Sequence, residues 1–91
     1  MSGVVALKMK VRPQGLDVDL KDLSSKIKKL MESLGSKNIT ILEEPIAFGL
    51  KALVISCAWN EDKSVDSAEN GLNLIPGVSS CEVTDYRRAF G

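Results

Sequence analysis

The side chains best suited to chemistry in this sequence are two arginines near its end, one phenylalanine at a turn, and a few carboxylates and lysines around them. Arg87 and Arg88 fall in the run Val83-Thr84-Asp85-Tyr86-Arg87-Arg88-Ala89-Phe90-Gly91. A guanidinium offers a planar fork of donors that fits phosphate or carboxylate oxygens, so such a pair either reaches an anionic cleft on a partner or stays solvated. Phe48 sits between Ala47 and Gly49, in a segment bracketed by Pro45 and Gly49. An aromatic there either folds back onto the core or stands out as an anchor for a partner's pocket. Glu43 and Glu44 are adjacent. Neighbouring strand residues point to opposite faces, so the two are poorly placed as an acid–base couple; charged edge positions that discourage sheet-to-sheet pairing are the simpler reading.

Other chemistry is missing from the sequence. Cys57 and Cys81 are the only cysteines, they lack CxxC spacing, and there is no histidine to complete a zinc site. They read as two small buried thiols in a reducing cytosol. The absence of histidine also removes the commonest general base. No nucleophile–base pair, GxxxxGK[ST] loop or GxGxxG fingerprint is present. The expectation is a protein that is not an enzyme, with no cofactor and no metal site of its own. Twelve basic and twelve acidic residues cancel, which argues against a domain that binds nucleic acid by neutralising phosphates. No stretch reaches the ~18 apolar residues of a membrane span, and no secretory segment is recognisable at the start.

These residues need elements to position them. Ninety-one residues, 44% hydrophobic, make one domain over 1–91. Residues 4–12 alternate Val5, Leu7, Met9, Val11 with Ala6, Lys8, Lys10, Arg12, which predicts a strand stopped by Pro13-Gln14-Gly15. Residues 18–34 carry Leu20, Leu23, Ile27, Leu30 and Leu34 at helical spacing, with Asp17 or Asp19 as cap and Gly35 as stop. Residues 38–44 and 50–59 predict two strands, the second apolar enough to be central, joined by a bent hairpin connection with Phe48 near its tip. Residues 64–75 form a weaker helix, capped by Ser64, interrupted at Gly71 and ended by Pro76-Gly77. A short last strand follows from Val78 to Thr84, and Asp85–Gly91 form a tail. The order is β-α-β-β-α-β. It predicts an α+β, ferredoxin-like plan, with a four-stranded antiparallel sheet and two helices on one face. The other face is open and carries Lys8, Lys10 and Lys51.

The plan hosts many activities. A metal chaperone on it would want a CxxC in the first loop, here Arg12-Pro13-Gln14-Gly15. An RNA-recognition module would want stacking aromatics on the two central strands, which offer only Trp59. The combination of Glu43-Glu44-Pro45-Ile46-Ala47-Phe48-Gly49-Leu50-Lys51-Ala52-Leu53, Gly77-Val78, and Glu82-Val83-Thr84-Asp85-Tyr86-Arg87-Arg88 resembles the archaeal elongation factor 1-beta family, with Asp17 to Leu20 also in keeping. That resemblance covers nearly the whole chain. It implies a cytosolic guanine nucleotide exchange factor whose partner is the GTPase elongation factor 1-alpha, with no direct nucleic-acid or membrane contact. It makes Phe48 a contact with the GTPase and Lys51 a lesser one. Relatives from eukaryotes use a lysine close to the C-terminus to disturb the GTPase's Mg²⁺ site. This sequence has no lysine after Asp85, and the nearest cations are Arg87 and Arg88. The alternative is a ferredoxin-like RNA- or ribosome-associated binding domain working through Lys8, Lys10 and Lys51. A small-ligand regulatory domain is a third option.

Overall fold

The computed structural model describes residues 3–88. Strand β1 runs Val4–Pro13, helix α1 Leu20–Ser33, strand β2 Lys37–Pro45, strand β3 Lys51–Asn60, helix α2 Val65–Asn73 and strand β4 Val78–Arg88, with a single 3₁₀ turn at Ala47–Gly49 between β2 and β3. The sheet is antiparallel with order β2-β3-β1-β4. This is the ferredoxin-like α+β arrangement that the element order predicts.

Period-two patterning fixes the buried face. Val5, Leu7, Met9 and Val11 of β1 pair with Trp59, Cys57, Ile55 and Leu53 of β3, and all eight are buried. Leu23, Ile27 and Met31 of α1 and Ala68 and Leu72 of α2 cover them. Each large apolar side chain buried this way contributes roughly 1.5–3 kcal/mol. The indole N–H of Trp59 donates to the Lys63 carbonyl at 3.1 Å, and the buried Ser36 hydroxyl donates to the Ala58 carbonyl at 3.1 Å, so the polar groups inside are paired.

The helices begin where the capping residues stand. The Asp19 carboxylate accepts from the Lys21 and Asp22 amides at 3.0 and 3.3 Å, and Ser64 accepts from Asp66 at 3.2 Å. Gly35, at φ 87°, takes the left-handed turn after α1. Gly71 has a packing role beyond the weakening expected of it. A Cβ there would lie 3.0 Å from Leu30 Cδ2, so the bare backbone lets α2 close onto α1.

Two expectations are corrected. The last strand does not end at Thr84: Asp85, Tyr86, Arg87 and Arg88 continue β4, paired with Lys8, Leu7, Ala6 and Val5. Residues 89–91 of the expected tail lie outside the described residues. A register shift makes the extension possible. Asp85 pairs with Lys8 but Val83 with Met9, so Thr84 is an extra residue whose hydroxyl donates to the Lys8 carbonyl at 3.2 Å. Lys51, in turn, is not on the open face. It pairs with Pro45 and shares the parity of buried Leu53, which sends its side chain to the helix side at the sheet's end.

Candidate functional site

The residues singled out by the sequence separate into two groups at opposite ends of the sheet. Phe48 and Lys51 lie at the Pro13 end of β1, whereas Arg87 and Arg88 pair with Ala6 and Val5 at its start. Eight residues of strand separate the two registers, more than about 25 Å at the usual rise. The molecule extends 44 Å by 22 Å by 19 Å along its principal axes. Phe48 and Lys51 are therefore brought together, and neither is near the arginines.

Phe48 is 92% exposed. Of its two expected fates, folding back onto the core is ruled out. Its backbone sits at φ 61°, ψ 31°, the left-handed region in which non-glycine residues are uncommon. Gly49 follows at φ 77°. Two successive left-handed residues reverse the chain abruptly, closed by Ile46 N–H donating to the Leu50 carbonyl at 2.8 Å and Leu50 N–H to that of Ala47 at 3.2 Å. The tight turn holds the ring out in solvent. Lys51 Nζ lies 3.4 Å from Glu43 Oε1, which reduces its availability as a free cation. Beside them, Leu16 of the β1–α1 loop reaches within 3.8 Å of the position a Gly49 Cβ would take. The sequence reading passed over Leu16. The available signal was an apolar residue alone in the polar loop Gln14-Gly15-Leu16-Asp17.

At the other end, the strand places the two arginines on opposite faces. Arg87 lies on the open face, its Nε donating to Asp85 Oδ1 at 3.0 Å. Arg88 has the parity of Tyr86 and Val5 and faces the helix side, with Nε 3.5 Å from Glu61 Oε2. Glu61 is itself fixed: its Oε1 accepts from the Gly3 amide at 3.0 Å, and its own amide donates to the Gly3 carbonyl at 3.1 Å. A Cβ on Gly3 would sit 2.7 Å from that carboxylate oxygen, so glycine leaves the room the clasp needs. Glu61 also went unnoticed in the sequence, because nothing local relates it to Gly3 or Arg88.

The open face is largely neutralised. Lys10 Nζ meets Glu44 Oε2 at 3.5 Å and Arg12 meets Glu82 at 3.2 Å, while Arg87 pairs with Asp85. Glu43 and Glu44 point to opposite sides, each toward a different lysine, as expected of adjacent strand residues. The thiols are protected. Burial pushes the Cys57 thiol up, against a hydrogen bond from Ser36 that lowers it; burial, then Glu69 and Glu82, push Cys81 up to about 12. Among the described residues no three His, Cys, Asp or Glu side chains gather as metal ligands, and no helix is long and apolar enough to cross a membrane.

Comparison with known proteins places this sequence in a family. Residues 6–89 match the EF-1 guanine nucleotide exchange domain. A protein of Methanosarcina barkeri named elongation factor 1-beta is 38% identical, over 94% of this chain and 98% of its own length. Proteins of the same name from Methanothermobacter thermautotrophicus and Aeropyrum pernix are 42% and 41% identical, over 94% and 92% of this chain and 97% and 94% of theirs. With agreement of this extent in both directions, the chain belongs to the family of EF-1 guanine nucleotide exchange domains.

Proposed function

We propose that this protein, as a single exchange domain over residues 1–91, binds elongation factor 1-alpha in the cytoplasm and promotes loss of GDP so that GTP can load. Guanine nucleotide exchange is the activity of its family. The partner's identity and the residues that meet it are the further step. The observation that carries the step is Phe48, an aromatic held outward in a left-handed turn with almost its whole side chain in water. Strained, exposed groups of this kind cluster where a partner supplies the missing contacts.

Exchange requires differential affinity. A factor that binds the nucleotide-free GTPase more tightly than the GDP-bound one weakens GDP by the same ratio, by linkage. This chain acts as a regulator without covalent chemistry, cofactor or metal of its own. Its cations at the Arg88 end are suited to compete for the electrostatic niche beside nucleotide phosphates, a niche that Mg²⁺ fills in the GTPase. Phe48, with Lys51 beside it, supplies apolar anchorage at the other end. A partner meeting both must run along much of the molecule's 44 Å length. The paired charges on the open face favour this reading over one in which that face binds RNA, and we assign no direct nucleic-acid contact.

The test is release of fluorescent GDP from elongation factor 1-alpha. Sub-stoichiometric amounts of this protein are expected to speed release at least tenfold; unchanged release at saturating concentration would sink the reading. Arg87→Ala with Arg88→Ala is expected to slow exchange without unfolding, since exposed ion pairs are worth only about 0–1 kcal/mol. The two single variants should differ, because their side chains leave opposite faces of the strand. Full activity in the double variant would remove both arginines from the mechanism.

A further inference from the structure

At the end of the sheet opposite Phe48, one carboxylate ties together parts of the chain that are far apart in sequence. Glu61 stands on the turn between β3 and α2, and that turn is fixed from several sides. The Asp62 amide donates to Asn60 Oδ1 at 2.9 Å and the Lys63 amide to the Asn60 carbonyl at 3.0 Å. The Trp59 indole donates to the Lys63 carbonyl, and the Lys63 ammonium donates to the carbonyl of Leu34, the residue that ends α1. Glu61 adds its two bonds to Gly3, one through its amide and one through Oε1. The other carboxylate oxygen, Oε2, is left facing Arg88 Nε at 3.5 Å. It meets the guanidinium at the nitrogen nearest the chain. A held Nε restricts the last torsions of the side chain and leaves the terminal nitrogens of the fork to a second anion. A notch of about 100 Å³, lined by Gly3, Val4, Glu61 and Arg88, opens at the pair. Arg87 is held differently. Its partner, Asp85, is two residues away on the same strand and is the more exposed of the two acids.

We infer that Glu61 is a positioning residue for exchange: in the free protein it aims the Arg88 guanidinium for the anionic site that Arg88 meets on the GTPase. The inference rests on the exchange reading above and deepens it by separating the two arginines, of which Arg88 acts and Arg87 is secondary. The physical ground is preorganisation. A long side chain gives up rotamer freedom when it binds, and one already restrained gives up less. Glu61 can impose that restraint because its own carboxylate is anchored to the Gly3 amide and its backbone to a locked turn. A carboxylate repels a phosphate, so Glu61 acts through Arg88 and not by contact with the nucleotide.

The experiment uses the full chain with Glu61→Gln. The amide oxygen of the new side chain can still accept from Gly3, so the turn should survive, and an unchanged melting temperature verifies it. The charge that holds Arg88 is gone. In the GDP-release assay the rate at saturation is expected to fall about twofold to tenfold, with little change in the concentration for half-maximal acceleration. The same substitution should cost nothing further in an Arg88→Ala background and have its full effect in an Arg87→Ala background. A role confined to the Gly3 clasp would give equal losses in both. Arg88→Lys keeps the charge without the fork and leaves Glu61 untouched; it is expected to lose a similar factor, and it decides the matter if Glu61→Gln melts lower. A Glu61→Gln variant as fast as the wild type or faster, equal losses in the two arginine backgrounds, or a fully active Arg88→Lys would each overturn the positioning role and leave the exchange reading standing. A wild type that does not accelerate release at saturation overturns both.

Discussion

Phe48 sits in a conformation that costs a side-chain-bearing residue about 1–2 kcal/mol relative to glycine. Its ring recovers nothing from the core, being in water. Glycine relieves that strain but adds unfolded-chain entropy, so Phe48→Gly is expected to leave stability unchanged or raise it by up to about 1 kcal/mol. The same substitution should sharply reduce exchange. Thermal melts and GDP release measured together check this opposition, and a variant that loses stability as well would make the ring a structural element after all. The arginines show a different economy. Neither is free, since Asp85 and Glu61 hold them, yet both pairs are exposed enough to open readily toward a stronger anion.

Among the elements, the helices and the central strands were legible because burial imposes their periods. Leucines and isoleucine at helical spacing wrote α1, and the unbroken apolar run of β3 wrote a strand covered in the middle of the sheet. The extension of β4 was not legible. Asp85-Tyr86-Arg87-Arg88 has no apolar alternation, and what holds it is backbone pairing with the start of β1, which side-chain pattern does not encode. Lys51 was misplaced for a related reason: its face depends on pairing with Pro45, a register that no local sequence reveals. Phe48 was placed at its turn correctly, while its exposure depended on a backbone angle. Gly71 is the element-scale test. Its missing Cβ gives Leu30 room, so Gly71→Val should cost about 1–3 kcal/mol from overpacking and β-branching despite the removal of a helix glycine. Chemical denaturation measures it; a stabilised variant would mean the helices can separate without loss.

For the molecule as a whole, formal neutrality near pH 7 conceals local order, with acids and bases paired across strands on the open face. The thiols add an alkaline limit. Cys81 keeps its proton up to about 12 in the folded state, and Cys57 is raised above the ordinary 9.0 as well. An unfolded chain would release both near 9, so between about 9 and 12 the native state binds more protons than the unfolded one. Stability contributed by the neutral thiols is therefore full below pH 9 and declines above it, by at most about 1.4 kcal/mol per pH unit for each. Denaturation midpoints from pH 7 to 10.5 should fall less steeply for Cys81→Ala than for the wild type; parallel curves would show that the thiol titrates normally.

The extra residue at Thr84 has a consequence for how relatives of this chain are compared. It inverts the phase of everything after it, which sets Arg87 on the open face and Arg88 on the helix side rather than the reverse. A relative one residue shorter at that point would keep the same two arginines in an alignment and exchange their directions in space. Matching letters near the C-terminus is then no guide to matching geometry. What must be counted is the number of residues between the strand's last core-packed valine, the partly buried Val83, and its final cations.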